Sequence, residues 1–291
     1  MTFLDQYKLE GCTCIHPYDH EVYSDPELYP NFQEKFIEFQ ETLKRNIKKK
    51  NSKVYLRLFD GEFWFLRGQA VGNVSSRHTN VHPKEMDLKP FRDGVYGCDY
   101  VSTQLYPDQM EIYNKLFPDR PFDFPMEYIY AIVANRSIFD YGKIGVICGE
   151  GKARVIKELF KHKEYRDYIG RDGFDSIITV PERFACNKIE EIESKISNEL
   201  DGNIDVYLYG IGISKLALSH RFKKYSNSIF IDIGCGMSAI AGLVGNDRPY
   251  FGNWINHKVK YFDYQGVDLM DSTERGVVWL EREKHVNNWR Y

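Results

Sequence analysis

Ile144-Gly145-Val146-Ile147-Cys148-Gly149-Glu150-Gly151-Lys152 reads as a short apolar run, a glycine break and the opening of a helix. Val155, Ile156, Leu159 and Phe160 supply that helix with an apolar stripe. The phrase recurs on both sides. Downstream, Ser176–Val180 precedes a helical pattern at Ile189, Ile192 and Ile196. Val206–Tyr209 leads through Gly210-Ile211-Gly212 into a helix from Ser214, and Ser228–Asp232 ends in Ile233-Gly234. Upstream, Phe32, Phe36, Phe39, Leu43 and Ile47 share one helix face. They are followed by Lys48-Lys49-Lys50 and the strand Val54–Phe59, after which Phe63–Leu66 lies on a further helix. Short strands alternating with longer helices predict an α/β fold. It is a Rossmann-like, mostly parallel sheet with helices on both faces, and its ligands bind at the carboxyl ends of the strands.

Two stretches break this rhythm. Residues 1–30 are rich in Pro, Tyr, Asp and His and read as an irregular arm, leaving 31–291 as a single α/β domain. Residues 72–125 carry Pro83, Pro90, Pro107, Pro118, Pro121 and Pro125 and read as loop-rich, before a helix over 127–139. Segment 250–291, with Trp254, Trp279 and Trp289, can complete the core, cover the site or form a homodimer contact; core is the expectation.

A chain of 291 residues can bury a substantial core without metal or disulfide staples. Lys and Arg number 39 against 42 Asp and Glu, a formal charge of −3, which argues against a non-specific nucleic-acid binder. With 43% hydrophobic and 28% charged residues, the composition is that of a folded protein. No stretch is apolar for long enough to predict a membrane span, and the first residues do not read as a signal peptide. Cys98, Cys148, Cys186 and Cys235 lie in or beside apolar runs, as buried thiols do in a reducing cytoplasm. Cys12, Cys14, His16 and His20 match no strong zinc spacing. His78 and His82 lack the intervening glutamate of a zinc-protease helix.

Several motifs sit at strand ends. Asp60-Gly61-Glu62 follows an apolar strand. In extended geometry residues two apart point the same way, so both carboxylates could hold one Mg²⁺ or Mn²⁺. Arg57 could add phosphate contacts. Gly149, Gly151 and Lys152 in one turn, and Gly210, Gly212 and Ser214 in another, suit backbone amides gathered around a diphosphate. Glu150, Glu182 and Asp232 stand at strand ends as candidate bases. A competing reading takes Asp232-Ile-Gly-Cys-Gly-Met-Ser238 as the glycine loop of an S-adenosylmethionine-dependent methyltransferase. A third is a nucleotide-binding module without catalysis.

In order, the chain presents Arg57-Leu-Phe-Asp60-Gly61-Glu62, Val180-Pro181-Glu182-Arg183, Tyr209-Gly210-Ile-Gly212-Ile-Ser214-Lys215 and Phe230-Ile-Asp232-Ile-Gly234. That ordered set resembles the bacterial GT-D fold glycosyltransferases, formerly a domain of unknown function, over residues 30–240. Cys235 stands where the family often has histidine, and Phe184 where it often has asparagine. The resemblance implies a Rossmann-like glycosyltransferase that takes sugar from a nucleoside diphosphate sugar, a UDP-sugar first of all, to a glycan acceptor. It implies that Asp60 and Glu62 form an Asp-x-Glu element serving metal and diphosphate.

Overall fold

The structure, a computed structural model, describes residues 31–69 and 78–243, with Phe251, Trp254, His257, Val259, Phe262, Asp263, Tyr264 and Val267. The expectations for the arm over 1–30, including Cys12, Cys14, His16 and His20, lie outside the described residues, as do those for Trp279 and Trp289.

Seven strands form one sheet: β1 (Lys53–Arg57), β2 (Tyr100–Thr103), β3 (Phe124–Pro125), β4 (Ile144–Gly149), β5 (Ser176–Val180), β6 (Val206–Gly210) and β7 (Ile229–Asp232). Their order is β3-β2-β1-β7-β6-β4-β5, and every pairing is parallel. The helices are α1 (Phe32–Lys48), α2 (Asp60–Leu66), α3 (Lys89–Gly97), α4 (Pro107–Leu116) and α5 (Glu127–Ala134). Then follow α6 (Glu150–Leu159), α7 (Lys163–Ile169), α8 (Ile189–Glu199), α9 (Lys215–Leu218) and α10 (Cys235–Ile240).

Side-chain alternation divides the core between the two faces of the sheet. Tyr55, Val146, Leu208 and Ile231 pack on one face with α1, α5, α6, α7 and α10. Val54, Leu56, Ile147, Tyr209 and Phe230 pack on the other with α2, α3, α4, α8 and α9. Helices on both faces of a parallel sheet are the predicted architecture. Trp254 belongs to the first cluster, fully buried, with its indole N–H donating to the Val133 carbonyl at 3.2 Å. Cys98, Cys148 and Cys186 are buried, and burial pushes the Cys148 thiol up to about 12. Among the described residues no helix is long and apolar enough to cross a membrane.

The segment expected to be loop-rich departs from expectation: it holds α3, β2, α4 and β3. Pro90 lies in the first turn of α3, and Pro107 is the first residue of α4. There a proline gives up an N–H that has no intrahelical partner, so these prolines start helices instead of breaking them. The helix expected over 127–139 ends at Ala134. Beyond Arg136, which is left-handed at φ 61, the chain tightens into a 3₁₀ turn over Ser137–Asp140.

Candidate active site

From β1 the chain builds outward through β2 to β3. It then crosses to the other half of the sheet, laying down β4 and β5 before returning inward through β6 and β7. Where two halves diverge in this way, a crevice opens at the carboxyl ends of the strands. A cleft of about 230 Å³ lies there, lined by Arg57, Gly149, Val180, Gly210 and Asp232 from five strands. Asp60, Glu62, His78, Lys152, Glu182, Gly212 and Lys215 also line it, as do Gly234, Cys235, Met237 and Ser238.

Lys215, the first residue of α9, lines the cleft and is only 2% exposed. Its ammonium donates to the Arg57 carbonyl at 2.7 Å and to Asp232 Oδ2 at 2.5 Å, and lies 2.6 Å from Glu62 Oε1. All three of its donors are therefore used. Asp232, with no exposed surface, also accepts the Arg57 N–H on Oδ2 and the Gly234 N–H on Oδ1. Sequence reasoning assigned Lys215 no role, although a signal was present. A cation at a helix N-terminus opposes the macrodipole, and a broken local rule of that kind points to a specific partner.

The metal geometry expected for Asp60 and Glu62 requires correction. These residues are not in extended backbone; they occupy the first turn of α2, where residues two apart diverge. Glu62 is 6% exposed, with Oε1 against Lys215 and Oε2 accepting the Phe59 N–H at 3.0 Å. Its oxygens are taken by the chain itself, so Glu62 does not fit a cation ligand. Asp60 is exposed at the cleft with Oδ1 accepting the Gly61 N–H at 2.6 Å, and it does fit one. Among the described residues no three His, Cys, Asp or Glu side chains cluster as a metal site.

The glycine turns also differ from expectation. Glu182 lies over the start of α6, accepting the Gly151 N–H at 3.1 Å with Lys152 at 3.9 Å. A Cβ at Gly149 would overlap this carboxylate. The anion expected at that helix N-terminus is thus one the chain provides. Ser214 is fully buried and donates to the Ile211 carbonyl, closing its own loop. Gly212, at φ 60, leaves room for His78, a cleft residue to which sequence reasoning gave no part in this chemistry. Gly234, at φ 47, leaves room for the Arg57 guanidinium, and Gly236 packs against Val133 and Ile233. The Asp232–Ser238 loop nevertheless borders the cleft, through Asp232, Gly234, Cys235, Met237 and Ser238.

Of the three candidate bases, Asp232 is sealed beneath Lys215, and exposed Glu150 is not part of the cleft lining. Glu182 lines the cleft and keeps partial exposure. Beside it Phe184 is left-handed at φ 58, a conformation that suits asparagine far better than phenylalanine.

Burial by itself raises the Glu62 carboxyl, but Lys215 and Arg57 outweigh it and hold the group below its ordinary value of 4.5. A carboxyl depressed by folding contributes stability that is complete above its unfolded value and lost as pH falls through the folded one. His220 is lowered from 6.5 by burial and then by Arg221 and Lys224, so the unfolded chain takes up its proton first. Melting temperature should therefore begin to decline below 6.5 and fall faster below 4.5. A melting temperature that rises on acidification would contradict both assignments.

No protein-family model and no curated protein matches the chain. Three solved structures align with it. One is a new glycosyltransferase (DUF1792) from Streptococcus sanguinis, 13% identical, with a TM-score of 0.46 over 85% of this chain and 96% of that one. A selenomethionine-substituted domain of unknown function 1792 aligns at 14% identity and TM-score 0.42, over 84% of this chain and 91% of that one. The third, the highly conserved domain of unknown function 1792 with a distinct glycosyltransferase fold, gives 14% and 0.43 over the same shares.

Proposed function

We infer that the chain is a glycosyltransferase that moves a sugar from a nucleoside diphosphate sugar, with a UDP-sugar as donor, to a glycan acceptor. One observation carries this reading. Four motifs separated by up to 175 residues in the chain meet in a single cleft: Arg57 with Asp60 and Glu62, Val180 with Glu182, Gly210 with Gly212 and Lys215, and Asp232 with Gly234. They meet at the place where a doubly wound sheet binds ligands.

Within this reading, Asp60 faces the donor diphosphate from the first turn of α2. When bound, Mn²⁺ or Mg²⁺ neutralises charge on the leaving diphosphate. Asp60 is the protein carboxylate that would hold such an ion, since Mg²⁺ often needs one or two carboxylates besides phosphate oxygens. As the bond to the diphosphate breaks, the anomeric carbon gains oxocarbenium character. Glu182, partly exposed in the cleft, receives the acceptor proton in an inverting reaction.

Incubation of the protein with a panel of nucleoside diphosphate sugars and glycan acceptors, with and without Mn²⁺, tests the reading. Acceptor-dependent release of UDP is the expected result. Binding of nucleotide with no turnover of any donor would favour a non-catalytic module, and methyl transfer from S-adenosylmethionine would overturn the reading outright.

A further inference from the structure

Arg57 closes β1 at the cleft and is 5% exposed. Its backbone is fully engaged: the N–H donates to Asp232 and the carbonyl accepts from Lys215. Its guanidinium is not. Nε and Nη1 are buried without a hydrogen-bond partner. The nearest carboxylate oxygens are Glu62 Oε1 at 3.9 Å and Asp232 Oδ2 at 4.0 Å, beyond hydrogen-bond reach. Those oxygens are committed instead to Lys215, at 2.6 and 2.5 Å. The Tyr130 ring lies 5.6 Å from the guanidinium carbon and presents a π-face to it.

A buried donor left without a partner is costly, and more so when it is charged. The chain nevertheless makes room for this one, since a Cβ at Gly234 would overlap the guanidinium. The other anion position in the cleft, the start of α6, is already filled by Glu182. We propose that the Arg57 guanidinium is the seat of a phosphoryl group, where a diphosphate supplies the acceptors that the chain withholds. A planar fork of donors suits two phosphate oxygens better than a point charge does. Lys215 has the complementary task. It takes the hydrogen-bonding oxygens of Glu62 and Asp232, so that Arg57 balances the remaining negative charge from 3.9 and 4.0 Å while its own donors stay open to the incoming anion.

This inference rests on the donor reading for its ligand class, and inorganic pyrophosphate separates the two. Titration calorimetry of the full chain with pyrophosphate, UDP and uridine should show binding of the first two. Arg57→Lys, which keeps the charge and loses the fork, should weaken both pyrophosphate and UDP by about tenfold or more. If that variant does not fold, arginine-¹⁵N spectra of the wild type replace it: a buried Nε–H resonance should shift on adding pyrophosphate. Pyrophosphate that does not bind, that binds Arg57→Lys as well as wild type, or that moves no arginine Nε–H would overturn the seat. Binding through Arg57 without turnover of any donor sugar would keep the seat and remove only the donor. Donor turnover unaffected by Arg57→Lys would remove only the seat.

Discussion

Lys215→Met should cost about 3–5 kcal/mol of stability, the penalty for stranding buried carboxylates without their cation. In a chain of this size that is a fall in melting temperature on the order of 10 °C. The magnitude follows from the geometry: Glu62 at 2.6 Å and Asp232 at 2.5 Å both rely on an ammonium that is 2% exposed. Adding Glu62→Gln to Lys215→Met should recover part of the loss, because the one remaining carboxylate, Asp232, then faces the Arg57 guanidinium at 4.0 Å as an opposite-charge pair. Thermal melts of the single and double variants provide the check. A single variant that melts with the wild type would show that the three groups do not form a buried ion cluster.

Asp60→Asn should do the opposite, lowering turnover on the order of a hundredfold while leaving stability within about 0.5 kcal/mol. Asp60 is exposed, and the substitution exchanges its carboxylate for an amide of the same shape, so no buried space is opened. Glu62→Gln, by contrast, should lower the melting temperature, since it removes the charge that Lys215 holds. An Asp-x-Glu pair acting symmetrically on one cation would lose activity equally at both positions, with stability intact at both. Parallel turnover and melting measurements on the two variants therefore distinguish a shared cation site from the divided roles in this cleft. Unchanged turnover in Asp60→Asn would remove Asp60 from the chemistry.

The fold was legible because its signal is local. β4 is buried along its whole length, so it reads as an unbroken apolar run, and α6 begins directly at its end. The helices after Pro90 and Pro107 were hidden because the same residue serves as breaker and as helix starter; its neighbours in space decide which. In the site, Arg57, Asp60, Glu62, Gly210, Gly212 and Asp232 were legible as residues because each stands at a strand end. Their division of labour was not. Glu62 is committed to Lys215, which lies 153 positions along the chain, and only the parallel packing of β1 beside β7, itself next to β6, brings the two together.

By itself, the sequence determined that this chain forms a parallel α/β sheet covered on both faces, and that its charged residues gather at the strands' carboxyl ends. Periodicity and turn chemistry act over a few residues and survive in a linear string. The tertiary structure alone decided which carboxylate faces the cleft, which is neutralised by a lysine, and which caps a helix. Those outcomes depend on distances of 2.5 to 4.0 Å between groups far apart in the chain, where burial makes each unmade bond costly.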